Sequence, residues 1–300
     1  MNEQSRNDRQ PGLYRREYEH DACGVGMVAN LLGEASHDIV EKGMTILKRL
    51  MHRGATGNDP ETGDGAGLLM KIPHAFFAKV LAAKYAKIAK GEESFGVAMI
   101  FGGEGEEGKI EKVVKDEGCK VLGWRDVPTN PDAIGHDARA VMPKIRQLFI
   151  ATKNTENTKN IENKELCDLC DLCGKNPEAS FERRLYIIRR EIEKATKDTY
   201  VCSCSSRTIV YKGLLLATQI DRFYPDLSDP DFSTPFAIVH QRYSTNTFPS
   251  WELAHPFRAI AHNGEINALK GNLNALAARE PSLASPLFGD ELKKLGRAHV

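Results

Sequence analysis

The sequence has no long apolar run, no excess of charge of one sign and no signal-like leader. No stretch reaches the roughly 18 apolar residues that a bilayer-spanning helix needs. Forty-one Lys and Arg balance forty-one Asp and Glu, so no field of one sign attracts nucleic acid or a membrane surface. The first 22 residues mix Arg and Glu with a Pro-Gly pair and lack the apolar centre of a secretory signal. We therefore expect no nucleic-acid partner and no membrane partner.

The composition is that of a chain able to bury a substantial core. Of its 300 residues, 41% are hydrophobic, although only 7% are aromatic. This length suits two average domains or one large α/β or α+β domain. The seven cysteines are an odd number with no framework spacing, which favours reduced thiols. We therefore predict a cytoplasmic protein.

The order of predicted elements favours an α+β domain with hairpin-like neighbouring strands over strict βαβ alternation. Strands are predicted over 24–31, 67–72, 94–103, 119–127 and 235–243, a hairpin over 199–213, and a strand plus turn over 257–264. Helices are predicted over 36–52, 73–90, 107–118, 181–195 and 265–280. The polar, repetitive stretch 151–180 is predicted to be a surface insertion. Neither a complete dinucleotide-binding glycine fingerprint nor a phosphate-binding P-loop is present.

A cysteine stands where the polar leader meets the first predicted strand, in the stretch EHDACGVG. If residues 1–22 were removed, Cys23 would carry a free α-amine with a pKa near ~8. Part of that amine is neutral at physiological pH and can act as general base for the thiol, which is how an N-terminal nucleophile is activated. From this motif alone, the alternative is a small apolar cysteine packed at the start of a strand.

Two further motifs carry groups suited to binding an amino acid and an oxyanion. In VHQRYSTNTFPSW, Arg242 follows a strand, and a guanidinium can hold a carboxylate by two parallel hydrogen bonds. In IAHNGEIN, the Asn263 amide and the Gly264 backbone N–H can converge on one point as an oxyanion hole. Taken alone, each has an ordinary alternative, a surface arginine and an Asn-Gly turn.

Together these three motifs resemble the class II glutamine amidotransferases. The stretches HRGATGNDPETGDGAG, FERRLYIIRR, FYPDLSDPDF and STNTFPSWELAHPFRAIAHNGEINALKGN narrow the resemblance to the glutaminase domain of the glutamate synthase large subunit. The resemblance covers about residues 18–150 and 180–290. It implies the fold of N-terminal-nucleophile hydrolases, a four-layer αββα sandwich of antiparallel sheets. It also implies a propeptide over 1–22 and an amidotransferase domain over 23–300.

The resemblance further implies a role for each motif. The Cys23 thiolate would attack the side-chain amide of L-glutamine, forming a thioester and releasing ammonia, while Asn263 and Gly264 hold the oxyanion. Arg242 would grip the substrate's α-carboxylate, with Thr245 in the same pocket. No cofactor is expected in this chain. Ammonia would pass to a synthase domain or chain that carries FMN and an iron–sulfur cluster and aminates 2-oxoglutarate.

The end of the sequence departs from the family pattern. After GDELKKL the text becomes GRAHV, whereas the family continues into a Ser-Asp-Ser segment whose aspartate binds the substrate's α-amino group. We therefore expect the last elements of the domain to be missing. The alternative function is accordingly a non-catalytic remnant or interaction module with the same fold.

A cysteine cluster within the predicted insertion has no counterpart in the family. In CDLCDLC, Cys167, Cys170 and Cys173 have a spacing that could ligate zinc or an iron–sulfur cluster, but no fourth ligand is apparent. A duplicated Cys-Asp-Leu in a surface insertion is the simpler interpretation. The alternative is a metal- or redox-sensing protein that works through these three thiols.

Overall fold

The structure, a computed structural model, describes residues 24–81, 95–152, 177–244, 247–261 and 269–295. Its strands are β1 (Val25–Ala29), β2 (Ala66–Lys71), β3 (Phe95–Gly102), β4 (Cys119–Asp126), β5 (Ile145–Thr152), β6 (Thr199–Ser205), β7 (Thr208–Gly213) and β8 (Phe236–Gln241). Its α-helices are α1 (His37–Arg49), α2 (His74–Leu81), α3 (Glu107–Asp116), α4 (His136–Ala140), α5 (Pro177–Ala195), α6 (Ile220–Phe223), α7 (Leu269–Arg279) and α8 (Leu292–Leu295).

The strands form two antiparallel sheets of four strands each. The order is β1-β8-β2-β7 in the first sheet and β4-β5-β3-β6 in the second. Helix α1 packs against β1 and β8, while α3 and α5 pack against the second sheet. The α+β sandwich predicted from the sequence is therefore confirmed. In the ranges that the structure describes, no helix is both long and apolar enough to cross a bilayer.

Alternation along the second sheet places apolar side chains in two separate layers. Ala98 and Ile100 pack with the helical residue Leu185, whereas Val97 and Met99 belong to the larger core shared with the first sheet. Successive side chains of a strand point to opposite faces, so β3 must be apolar on both. The helix predicted over 181–195 is confirmed as part of α5, and four of its apolar residues are buried in the outer layer: Phe181, Leu185, Ile188 and Ile192.

The two strands predicted over 199–213 are confirmed, but the prediction that they pair with each other as a hairpin is wrong. Strand β6 pairs with β3 in the second sheet, and β7 pairs with β2 in the first. Most of β6 is buried on both faces, and a two-stranded hairpin does not offer two apolar layers. At Ser206–Arg207 the chain therefore crosses from one sheet to the other. The Glu182 carboxylate holds this crossing, accepting hydrogen bonds from the Ser205 hydroxyl at 2.7 Å and the Ser206 N–H at 2.8 Å.

Two other predicted boundaries were wrong. Both ends of the stretch 151–180 belong to regular elements instead of an insertion, because β5 includes the buried Ala151 and α5 begins at Pro177; residues 153–176 lie outside the described residues. Strand β5, which the sequence pattern did not reveal, lies between β4 and β3. The strand predicted from residue 257 is absent from 257–261, where the Phe257 N–H instead closes a turn onto the Ile260 carbonyl at 2.8 Å.

A buried polar network joins the two sheets. The Arg125 guanidinium of β4 donates to both carboxylate oxygens of Asp226, at 2.8 and 2.7 Å. The Tyr211 hydroxyl of β7 donates to the same carboxylate at 2.8 Å and accepts a hydrogen bond from Gln147 of β5 at 3.0 Å. Fork-shaped pairing of this kind fixes orientation as well as distance. The network therefore sets how the second sheet lies against β7.

Replacing Asp226 by alanine tests this network. Asp226→Ala leaves the Arg125 guanidinium buried without its countercharge, so we expect the free energy of unfolding to fall by about 3–5 kcal/mol in urea denaturation. The matched control is Asp126→Ala, which removes an exposed carboxylate 3.7 Å from the Lys144 ammonium. The control should stay close to wild type. Similar small losses in both variants would contradict the network's role.

Candidate active site

The first sheet brings the start of β1 next to the end of β8. Val25 lies opposite His240, and the Gln241 N–H donates to the Gly24 carbonyl at 2.7 Å. A Cβ atom on Gly24 would lie 2.1 Å from the Gln241 carbonyl oxygen, so only glycine allows this approach. Arg242 follows Gln241 directly, which places it at the sheet end where β1 begins.

The guanidinium of Arg242 donates its hydrogen bonds to uncharged groups. Its backbone N–H donates to the Gly65 carbonyl at 2.8 Å, its Nη1 to the Asp64 carbonyl at 3.3 Å and its Nη2 to the Thr247 hydroxyl at 3.0 Å. Burial lowers the pKa of Arg242, and the Asp64 carboxylate acts in the opposite direction. A guanidinium nevertheless stays charged at neutral pH. Since no carboxylate in the described ranges forms an ion pair with it, this cation is available for an anionic ligand.

Asp64 fixes the loop that carries Arg242. Its buried carboxylate accepts a hydrogen bond from the Ser244 N–H at 2.5 Å, and its own N–H donates to the Ala55 carbonyl at 3.0 Å. The Ser244 hydroxyl in turn donates to the Thr247 carbonyl. The sequence analysis assigned no role to Asp64, in the stretch HRGATGNDPETGDGAG, and missed this contact. The available signal was an acidic residue between two glycines.

Glycines in β2 and β7 make room for the segment 251–255. A Cβ atom on Gly67 would lie 2.4 Å from the His255 carbonyl oxygen, and one on Gly213 would lie 2.4 Å from the Trp251 ring. The indole N–H of Trp251 donates to the Ala138 carbonyl at 3.1 Å, which anchors the start of the segment. The segment therefore lies directly on the two strands.

Arg242 is the predicted site residue that falls in the part of the chain the structure describes. The other predicted catalytic and substrate-binding residues lie outside it: Cys23, Thr245, Asn263 and Gly264. The three weak metal-ligand candidates also lie outside it: Cys167, Cys170 and Cys173. Within the described ranges, no group of three or more His, Cys, Asp or Glu side chains could hold a metal ion.

The cysteines that the structure does describe are unsuited to nucleophilic catalysis. Cys119, Cys202 and Cys204 are all buried. Burial raises the pKa of Cys202 and of Cys204 to about 12, so both remain protonated at neutral pH. Because the thiolate is the reactive form, neither of these two thiols is suited to act as a nucleophile.

Comparison with known proteins decides the family. A model of the family described as "Glutamine amidotransferases class-II" matches residues 23–298. The chain belongs to the class II glutamine amidotransferases. The resemblance inferred from the three motifs is thereby confirmed, and the range that matches this amidotransferase family includes all three motifs.

The relatives of this amidotransferase chain include large chains of glutamate synthases. It is 48% identical to the glutamate synthase [NADPH] large chain of Bacillus subtilis (strain 168), covering 95% of this chain and 18% of the relative. The identity is 43% with the corresponding large chain of Azospirillum brasilense, covering 94% and 18%. It is 42% with the chloroplastic ferredoxin-dependent glutamate synthase of Oryza sativa subsp. japonica, covering 90% and 16%. The chain thus spans less than a fifth of the length of these relatives.

Replacing Gly24 tests the close contact between β1 and β8. In Gly24→Ala the added methyl group meets the Gln241 carbonyl, so β1 must shift away from β8. We expect a loss of about 1–3 kcal/mol of unfolding free energy, measured by urea denaturation. The control is Gly57→Ala, in the loop between α1 and β2, where an added Cβ has nothing within 4 Å. A Gly24→Ala variant as stable as Gly57→Ala would contradict this account.

Proposed function

We propose that this chain hydrolyses L-glutamine to glutamate and ammonia through a thioester on Cys23. The observation that carries the proposal is the Arg242 guanidinium at the sheet end where β1 begins, which forms no ion pair with a carboxylate of the described ranges. The family match supports it, because it starts at residue 23, immediately before Gly24. The Arg242 guanidinium, a cation suited to binding a carboxylate, therefore lies close to where the family match begins.

The residue that follows the proposed nucleophile in the sequence, Gly24, lies close to this cation. The Gly24 carbonyl accepts a hydrogen bond from the N–H of Gln241, the residue before Arg242. Removal of residues 1–22 would give Cys23 an α-amine with a pKa near ~8, whose neutral form can take the thiol proton.

The reaction uses groups of this chain alone. The thiolate attacks the carboxamide carbon of glutamine, and the oxyanion accepts hydrogen bonds from the Asn263 amide and the Gly264 N–H. Collapse of the tetrahedral intermediate breaks the C–N bond, and the protonated α-amine of Cys23 gives its proton to the leaving ammonia. Water then attacks the thioester and releases glutamate. Arg242 binds the substrate's α-carboxylate, and Thr245 supplies a hydroxyl to the same pocket.

The ammonia released would be used elsewhere. The relatives' names specify glutamate synthases that depend on NADPH or on ferredoxin. We infer that ammonia passes to a synthase domain or chain that aminates 2-oxoglutarate and carries FMN and an iron–sulfur cluster, in the cytoplasm. The glutaminase half-reaction itself needs neither group, because it transfers an acyl group without oxidation or reduction.

Cys23→Ala should abolish ammonia release from glutamine, because both the nucleophile and its sulfur leaving group are lost. We also expect intact mass to show residues 1–22 removed from the wild type and retained in the variant. Cys204→Ala, which changes a buried thiol in the outer layer, is the control and should keep both hydrolysis and processing. Hydrolysis that survives Cys23→Ala would exclude the thioester mechanism, and a wild type without hydrolysis would favour the non-catalytic module.

Arg242→Lys should raise the KM for glutamine about 10- to 100-fold, with a smaller effect on kcat. Lysine keeps the charge but loses the planar fork that matches a carboxylate. A rise in KM at nearly constant kcat indicates lost ground-state binding. Arg207→Lys, at the exposed crossing between the sheets, is the control. Steady-state ammonia release measures both constants, and an unchanged KM in Arg242→Lys would remove Arg242 from the binding site.

A further inference from the structure

Asp64 places a negative charge beside Arg242, yet the two charged groups do not pair. The Asp64 carboxylate opposes the effect of burial on the pKa of Arg242, so it lies close enough to act on the guanidinium. Among the residues that the structure describes, however, no ion pair joins Arg242 to a carboxylate. The carboxylate accepts a hydrogen bond from the Ser244 N–H at 2.5 Å instead. Asp64 is therefore a nearby anion that leaves the guanidinium to other ligands.

The backbone around Asp64 is held in one conformation. Gly65 has a φ of +136°, which favours glycine, and a Cβ atom there would lie 2.9 Å from the Ala254 Cβ. The Asp64 N–H donates to the Ala55 carbonyl at 3.0 Å, and the Asp64 side chain is itself buried. The carboxylate is thus presented from a fixed point.

This fixed stretch holds the arginine loop by three hydrogen bonds. The Gly65 carbonyl accepts from the Arg242 N–H at 2.8 Å, and the Asp64 carbonyl accepts from Arg242 Nη1 at 3.3 Å. Both bonds use main-chain acceptors, which any residue at position 64 would still supply. The third bond, from the Ser244 N–H, needs a side-chain acceptor of the length of aspartate. That bond anchors the loop beyond Arg242 and at the same time occupies a carboxylate close to the guanidinium.

We propose that Asp64 is a positioning residue for glutamine binding, whose carboxylate holds the Ser244 N–H and so keeps the Arg242 guanidinium directed at the substrate's α-carboxylate. The inference rests on the proposed function, in which Arg242 binds that carboxylate. Loss of the bond lets the guanidinium move, which weakens binding of substrate and transition state alike and therefore raises KM more than it lowers kcat. A merely structural aspartate would instead reduce the amount of folded enzyme, on which KM does not depend.

Three variants at position 64 separate the acceptor from the charge. Asp64→Ala removes both, and we expect the KM for glutamine to rise about 10- to 100-fold with kcat within about threefold of wild type. Asp64→Asn keeps an acceptor oxygen at the same distance from the backbone and loses the charge, so KM should stay within about threefold of wild type. Asp64→Glu keeps the charge but moves the carboxylate away from the Ser244 N–H, which frees it to pair with Arg242. That variant should also raise KM about 10- to 100-fold.

Glu61→Ala is the matched control, because Glu61 is an exposed acid in the same loop. It should show the wild-type KM and kcat. An Asp64→Ala variant with a KM within threefold of wild type would overturn the proposal, and so would an Asp64→Asn variant whose KM rises as far as that of Asp64→Ala. If Asp64→Ala does not fold, Asp64→Asn and Asp64→Glu decide the matter, and equal KM values in these two would overturn the proposal.

Amide hydrogen exchange tests the loop without relying on activity. The Ser244 N–H should exchange faster in Asp64→Ala, which lacks its acceptor, and keep the wild-type protection in Asp64→Asn and Glu61→Ala. Equal protection of this amide in Asp64→Ala and in the wild type would contradict the role of the carboxylate. A wild type that releases no ammonia would contradict the proposed function instead, and the exchange rates would still show whether Asp64 holds the loop.

Discussion

The rest of the structure depends on the antiparallel pairing of β1 with β8. This pairing joins the beginning of the amidotransferase domain to the loop of Arg242, and it requires a backbone contact with no Cβ between Gly24 and Gln241. A second requirement is the network around Asp226, which holds β7 against the other sheet. Together these contacts fix how the strands and the two sheets lie relative to one another at the sheet end that carries Arg242.

That end is built largely from main-chain contacts. Asp64 binds a backbone N–H and Lys212 binds two backbone carbonyls, while Arg242 is oriented by a carbonyl and a hydroxyl. Glycines at positions 67 and 213 allow the segment 251–255 to approach closely enough for these bonds. The arrangement leaves the guanidinium of Arg242 as the charge offered to a ligand, whereas the charges of Asp64 and Lys212 are used to hold loops.

The sequence was most informative where the signal is local. The apolar spacing over 181–195 was enough to predict the helix there, and the residue types around Arg242 led to the carboxylate-binding site proposed above. The pairing of β6 and β7 with separate sheets was missed, because a short connection predicts a hairpin and only the completed core shows that each strand has a better partner. Asp64 escaped notice for the same reason, since its partner Ser244 lies 180 residues away in the sequence.

The position of β1 also has a consequence for the timing of maturation. Among the described strands its one neighbour is β8, which ends at Gln241, so β1 stays unpaired until synthesis has passed that residue. At roughly 5–20 residues per second, that delay lasts roughly 10–40 s on the ribosome. Any reaction that needs β1 paired beside Arg242 can occur only after β8 has been synthesised. Seating of β1 is thereby tied to synthesis of β8, and a nascent chain that ends before residue 236 lacks this contact.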